Sequence, residues 1–165
     1  MQALTPGRQG KSVSTMRLVK RSYLVAAAGA ATLALALWWP FSRPACARVS
    51  GAGEIAVDVA GISKGQAKFF CYPDKSGKEI RFVIARGRDG SVRVALDACR
   101  QCYVYREGYM ASHGRLVCRF CGNRYRIEQM NSGEASCVPL GLRYAQQANL
   151  VRISVAELRA HEAMF

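Results

Sequence analysis

Acid is scarce in this chain: 11 Asp and Glu stand against 24 Lys and Arg in 165 residues, and none precedes Glu54. Histidine is scarcer. His113 lies in the turn Ala111-Ser112-His113-Gly114, where an exposed turn residue is the default reading and a metal ligand the sharper one. His161 lies near the C-terminus in an unremarkable context. No Ser/His/Asp set, no pair of catalytic carboxylates and no phosphate-binding loop is discernible. A redox or metal-binding protein without catalysis is therefore the leading expectation, and enzymatic activity stays open. Internal repeats and low-complexity segments are also missing beyond the N-terminal segment, apart from a paired cysteine motif.

The acid-free N-terminus has an order of its own. Arg8, Lys11, Arg17, Lys20 and Arg21 precede an uncharged, alanine-rich run of 17 residues, Tyr23 to Trp39. Pro40 follows, and Ala45-Cys46-Ala47 has the small-x-small form of a signal-peptidase site. Positive charge before the run holds the N-terminus in the cytoplasm and sends the remainder across the membrane. Two readings compete for residues 1–47. One is a signal peptide cut after Ala47, which would remove Cys46. The other is a single membrane anchor, an N-terminal hydrophobic helix with Trp38 and Trp39 at the interface. Either places the remainder at a bacterial inner membrane facing the periplasm, or free in the periplasm if the segment is cleaved.

Residues 48–53 read as a linker and 54–165 as one domain. The exported part, from Arg48, has a formal charge of +7. A basic excess raises the question of nucleic acid. Export argues against it, and so does the crowding of Arg100, Arg106, Arg115, Arg119, Arg124 and Arg126 around cysteines, where they offset thiolate charge. The domain's period is mostly two. Strands are predicted over Glu54–Val59, Ala67–Tyr72, Lys78–Arg86 and Ser91–Leu96, with turns at Pro73–Gly77 and Gly87–Gly90. These read as an antiparallel meander leading into Asp97-Ala98-Cys99. Short strands follow at Arg115–Val117 and Asn123–Ile127, and another at Leu150–Ile153. Ser154-Val155-Ala156-Glu157 has capping-box form and opens a short helix with Leu158 inward.

Five of the seven cysteines occupy one 39-residue stretch. Cys99-x-x-Cys102 is followed by fifteen residues, then Cys118-x-x-Cys121, then fifteen more, then Cys137. Two C-x-x-C pairs at this separation have the spacing of a four-thiolate metal site. Each turn aims two sulfurs at one ion, and Gly122 permits the twist that brings amide donors close. Tetrahedral sulfur suits zinc, a single iron or an iron–sulfur cluster. Cys137 could be a fifth ligand, a replacement for one of the four, a partner for Cys71, or a free thiol. Cys71, between Phe70 and Tyr72, reads as a small core residue. Outside the cytoplasm, oxidation competes with metal. A thiol–disulfide oxidoreductase is thus a rival, although Arg100 to Tyr105 lacks the helical periodicity that lowers a catalytic thiol's pKa. Tyr103, Tyr105, Tyr109, Phe120 and Tyr125 surround the sulfurs as a shield or a docking face.

The ordered motif resembles that of the FtrD-like family of membrane iron–sulfur proteins. The residues that carry the likeness are Asp97-Ala98-Cys99-x-x-Cys102, Gly108-Tyr109, Val117-Cys118-x-x-Cys121-Gly122-Asn123, Ile127 and Cys137-x-Pro139-Leu140. Ile80-Arg81-Phe82, Asp89-Gly90 and Asn149-Leu150-Val151-Arg152-Ile153 also fit. The resemblance implies an extracytoplasmic, membrane-linked iron–sulfur protein, with the family's five cysteines falling on Cys99, Cys102, Cys118, Cys121 and Cys137. It implies electron transfer or iron handling beside a membrane partner such as a metal permease. A fainter similarity joins Cys118-x-x-Cys121-Gly122, Tyr125 and Pro139-Leu140 to the second half of a Rieske-type domain, with cysteines at both knuckles. The expected fold is mainly β: an antiparallel meander with a rubredoxin- or Rieske-like metal-knuckle lobe. The expected cofactor is an iron–sulfur cluster or iron. A structural zinc ribbon in a binding module is the alternative.

Overall fold

The computed structural model describes residues 45–130 and 137–165, all within one compact unit, Arg43–Phe165. The N-terminal hydrophobic helix expected from the sequence lies outside these residues. No helix among the described residues is long and apolar enough to cross a membrane.

The domain is mainly β with antiparallel sheets, as its period-two patterning predicts. The first sheet has the order β1-β3-β4-β5-β9, from Ala47–Arg48, Gln66–Pro73, Glu79–Arg86, Val92–Cys99 and Pro139–Gly141. Its centre, β3-β4-β5, is the predicted meander, paired in register from Gln66 opposite Arg86 through to Arg86 opposite Val92. β1 adds to β3 in parallel. The second sheet has the order β10-β11-β2, from Ala145–Gln147, Leu150–Ser154 and Glu54–Asp58. The third, β6-β7-β8, comprises Tyr109–Ser112, Arg115–Cys118 and Arg124–Arg126.

One expected strand pairs elsewhere. β2 leaves the meander and joins β11, with Ile55 opposite Ile153 and Val57 opposite Val151. Both strands bury alternate residues only. Each therefore has one apolar face to cover, and pairing them makes a single apolar surface that packs on the first sheet.

The central sheet is buried on both faces, and residue parity sorts its side chains. Phe70, Tyr72, Ile80, Phe82, Ile84, Val92, Val94, Leu96 and Ala98 face the main core, together with Ile55, Val57, Val151, Ile153 and Leu158. Phe70 stacks on Phe82 with ring centroids 5.4 Å apart. The odd-numbered Phe69, Val83, Ala85, Ala95 and Cys99 point the other way, into a second cluster with Tyr109, Leu116, Cys118, Ile127, Met130 and Cys137. The same parity that builds the core thus delivers Cys99 to the opposite face.

The short helix α1, Val155–Arg159, begins as predicted, with Ser154 Oγ accepting from the Ala156 N–H at 3.2 Å. Leu158 is fully buried. Glu157 departs from the capping-box role. Its carboxylate accepts from the Arg143 backbone N–H at 3.1 Å and from Arg143 Nε at 2.7 Å. A charge-assisted partner outcompetes the bond back to the helix start. The Arg143 hydrogen bond holds the Glu157 carboxyl below its usual range, against the opposing effect of burial. A lowered native pKa contributes stability above the ordinary glutamate range and loses it as pH falls through the native value. Glu157→Gln is expected to lower the Tm at neutral pH. Wild type and variant should converge in acid, as read from Tm against pH.

Candidate metal centre

β5 runs three residues beyond the predicted end at Leu96 and carries Cys99 on its last position. Cys102 follows in a turn whose backbone N–H donates to Cys99 Sγ at 3.1 Å. A 3-10 turn, Tyr103–Tyr105, then ends at Arg106, which has a left-handed φ of 54°. Gly108, at φ 66°, passes directly over Asp97: a Cβ there would stand 2.6 Å from Asp97 Oδ1. The chain can make this approach only without a side chain. Asp97 is nearly fully buried and accepts from the Tyr109 N–H at 2.6 Å and from Arg81 Nε at 3.2 Å. It fastens the first knuckle's return to the sheet that launched it. In the sequence, two residues before Cys99, Asp97 reads as a cap for the knuckle or as the end of the strand. The odd parity of β5 placed it with Arg81 on the lobe face and was the signal available.

The second knuckle rests on a hairpin. His113 and Gly114 both have positive φ, at 49° and 74°, the geometry of a two-residue turn that matches strand twist. His113 is exposed, its Nδ1 lies 2.9 Å from Ser112 Oγ, and it joins no ligand group. β7 brings in Cys118. Gly122, at φ 74°, donates to the Cys118 carbonyl at 2.9 Å and so closes the knuckle turn. The two knuckles are tied by the Arg119 N–H to the Gly108 carbonyl at 3.0 Å. They are also tied by the Tyr105–Phe120 stack, with ring centroids 3.6 Å apart. Cys137 arrives by sheet pairing, since Pro139 in β9 sits opposite Cys99 in β5. Tyr109, wholly buried, donates its hydroxyl to the Cys137 carbonyl at 2.7 Å.

None of the five cysteines of the motif is in a disulfide. Their sulfurs fall into two groups, each within 4.8 Å: Cys99, Cys102 and Cys118 in one, and Cys102, Cys121 and Cys137 in the other. Cys102 belongs to both, and its Sγ stands 3.6 Å from Cys137 Sγ. Two thiolates on one tetrahedral ion would lie about 3.8 Å apart at metal–sulfur bonds of about 2.3 Å. The donor set therefore fits soft metal. Cys99, Cys118 and Cys137 are buried, and Cys121 is exposed at the lobe surface.

Burial pushes the Cys102 thiol well up, reinforced by its hydrogen bonds with Cys137 and Cys99. Burial also raises Cys118, against amide donors from Cys121 and Phe120, and raises Cys137. At Cys121 burial acts in the same sense but is outweighed by the Asn123 amide and by contacts with Cys118, Cys137 and Cys102, so its thiol is lowered. Sulfurs this close cannot all ionise without a cation among them. Around them, residues 99–130 hold six arginines and only two acids, Glu107 and Glu128. A cavity of about 220 Å³ opens beside Cys99, Cys102 and Cys118, bounded by Asp97, Gly108 and Phe165.

Cys71 departs from its sequence reading. It is fully buried, as a core residue would be, but it is bonded to Cys46 in a disulfide with Cα atoms 5.6 Å apart. Cys71 and Cys137 are therefore not partners.

Tyr109→Phe tests how far the buried hydroxyl positions Cys137. An unsatisfied buried carbonyl costs about 1–3 kcal/mol. The variant should lose stability of that order in urea unfolding and release metal to a chelator faster than wild type.

The model of the family described as "Membrane iron-sulfur containing protein FtrD-like" matches residues 62–165. No curated protein matches the chain. Among solved structures, the quaternary ammonium Rieske monooxygenase CntA, in complex with inhibitor MMV12, is similar at a TM-score of 0.32 and 15% identity. That similarity covers 64% of this chain and 27% of the other, so the chain spans about a quarter of that protein's length.

Proposed function

Because this chain belongs to the FtrD-like family of membrane iron-sulfur containing proteins, we propose that it is an extracytoplasmic electron carrier working beside a membrane partner. Cys99, Cys102, Cys118, Cys121 and Cys137 would hold its iron–sulfur centre. The observation that carries this reading is the five-thiol cluster in which Cys102 belongs to both groups. A mononuclear structural zinc site uses four ligands. Five sulfurs spread about a shared one suit a centre with more than one metal atom.

When bound, such a centre supplies one-electron exchange. The chain's own residues do the rest. Tyr109 and Met130, both buried, keep water from one side of the thiols. Amide donors from Phe120, Cys121 and Asn123 stabilise thiolate charge. The exposed Cys121 offers an edge through which an electron can leave. Among the described residues, the large apolar side chains that are exposed are Tyr103, Val104, Tyr105, Met110 and Phe120, all in this lobe. Such a patch favours contact with another protein. The Cys46–Cys71 disulfide supports an oxidising compartment. A role in iron handling with a permease follows from the same reading, with electron exchange serving a change in iron's oxidation state.

Anaerobic purification of the full chain should give a coloured protein with iron, acid-labile sulfide and a reversible one-electron reduction. A colourless protein with one zinc per chain would establish the zinc-ribbon alternative. Metal-free protein with Cys99–Cys102 and Cys118–Cys121 disulfides would establish the thiol–disulfide one.

A further inference from the structure

The small-x-small site at Ala45-Cys46-Ala47 and the Cys46–Cys71 bond make incompatible demands on one residue. Cleavage after Ala47 followed by loss of the leader would remove Cys46. Yet Cys46 is half-buried, packs against the apolar cluster that holds Cys99 and Cys118, and is bonded to Cys71 in β3. The residues on either side of the cut are equally built in. Ala47 sits opposite Phe70 and Arg48 opposite Cys71 in β1. The Val49 N–H donates to the Cys71 carbonyl at 2.9 Å, and Arg48 pairs with Glu79 at 2.8 Å. Ala45 and Ala47 also line a cleft with Met110, Ala111 and Arg119 of the metal lobe. A disposable leader has no reason to contribute a strand, a disulfide sulfur and a cleft wall to the mature domain.

We propose that the Cys46–Cys71 disulfide keeps the N-terminal segment covalently attached to the domain, so that the chain stays anchored whether or not the Ala47–Arg48 peptide bond is cut. Uncut, the segment is an ordinary anchor and the bond seats its C-terminal end against the metal lobe. Cut, the fragment that ends at Ala47 still carries Cys46, and the S–S bond replaces the peptide bond as the tether. Formation of the bond releases two protons and two electrons from the two thiols. A protein disulfide of the extracytoplasmic thiol-oxidising machinery accepts both electrons and becomes a dithiol.

The test uses the full chain with its native N-terminus, expressed in a bacterial host and alkylated with N-ethylmaleimide at lysis. Carbonate-washed membranes are digested without reductant, and the peptides are weighed. The expected result is a linked pair of peptides containing residues 46 and 71, recovered from the membrane pellet. Both cysteines should become alkylatable only after reduction. If the peptide bond is cut, reductant should release the domain from the pellet, and Cys46→Ser should release it without reductant. If it is uncut, Cys46→Ser should remain in the pellet with a Tm lowered by about 10 °C, the loss expected for removing a cross-link of this span. Cys71→Ala gives the same readings if Cys46→Ser folds poorly. A soluble mature chain starting at Arg48 with Cys71 open to maleimide would overturn the proposal. So would an intact chain in which both thiols react without reductant. Neither reading depends on which metal, if any, the five-thiol cluster holds.

Discussion

Replacing Cys102 by Ser should all but empty the metal centre. Cys102 is the one sulfur common to both thiol groups, so its loss leaves two sulfurs in each. Cys137→Ser, by contrast, leaves Cys99, Cys102 and Cys118 together and should retain part of the metal. The expected contrast is a fall in iron per chain of more than tenfold for Cys102→Ser and a partial fall for Cys137→Ser. The structural consequence should be equally local. The lobe's cluster has few large aliphatic side chains apart from Leu116, Ile127 and Met130, and the cysteines supply much of its interior. Small sites of this kind draw much of their folding free energy from the ion, about 10–16 kcal/mol in zinc-finger peptides. Amide exchange in the Cys102→Ser variant should lose protection over residues 99–130, while β3, β4 and β5 keep theirs. Protection lost uniformly through the domain would mean that the lobe and the sheet fold as one unit. Protection kept throughout would mean that the metal is not structural.

Asp97→Ala should be the most damaging change outside the cysteines. The Asp97 and Arg81 side chains are 2% and 12% exposed, and their ion pair lies within the lobe-facing side of the sheet. Removing one partner of a buried pair costs about 3–5 kcal/mol, because the other charge loses its compensation in a poorly solvated site. The same change takes the acceptor from the Tyr109 N–H, and so loosens the strand that holds the Cys137 carbonyl. Asp97→Asn keeps an oxygen for Tyr109 but not the charge, and should fall between wild type and Asp97→Ala in urea unfolding. Gly108→Ala approaches the same fault from the other side, since its new Cβ would meet the Asp97 carboxylate at a backbone φ of 66°. A comparable loss in Gly108→Ala, with iron content falling in step, would place the Asp97–Gly108 contact among the determinants of the metal centre. An unchanged denaturation midpoint in Asp97→Ala would refute that role.

Strands were legible wherever alternation was clean. β3, β4 and β5 fall within about three residues of their expected limits, because one apolar face per strand leaves few alternatives for phase. β2 was recognised as a strand and assigned to the wrong neighbour, since alternation fixes a strand's faces but not its partner. β1, β6, β9 and β10 went unread. They are two to four residues long, too short for a period to register; β1, β9 and β10 each pair with the backbone of a longer strand, and β6 is the first arm of the hairpin closed at His113-Gly114. The helix cap at Ser154 was visible locally. The diversion of Glu157 to Arg143 was not, because Arg143 reaches it from another part of the chain.

The five cysteines, their spacing, the glycine after the second knuckle and the basic surroundings belong to the sequence alone. C-x-x-C is a local device: three residues of turn bring two sulfurs to one side, and no distant contact is needed to see it. Parity then decides, also locally, that Asp97 and Cys99 share a face. Which sulfurs stand together is a different kind of fact. Cys137 reaches the cluster because Pro139 pairs with Cys99 across β5 and β9, and Cys102 lies in both thiol groups because the two knuckles close on each other through Gly108, Arg119 and the Tyr105–Phe120 stack. Cys46 and Cys71 read singly as a residue of the N-terminal segment, removed or unpaired, and a small core residue. They became a bond only when β1 lay parallel to β3. Pairing across 25 positions depends on where whole strands pack, and that is settled by burial of the sheet's two faces rather than by any pattern near either cysteine.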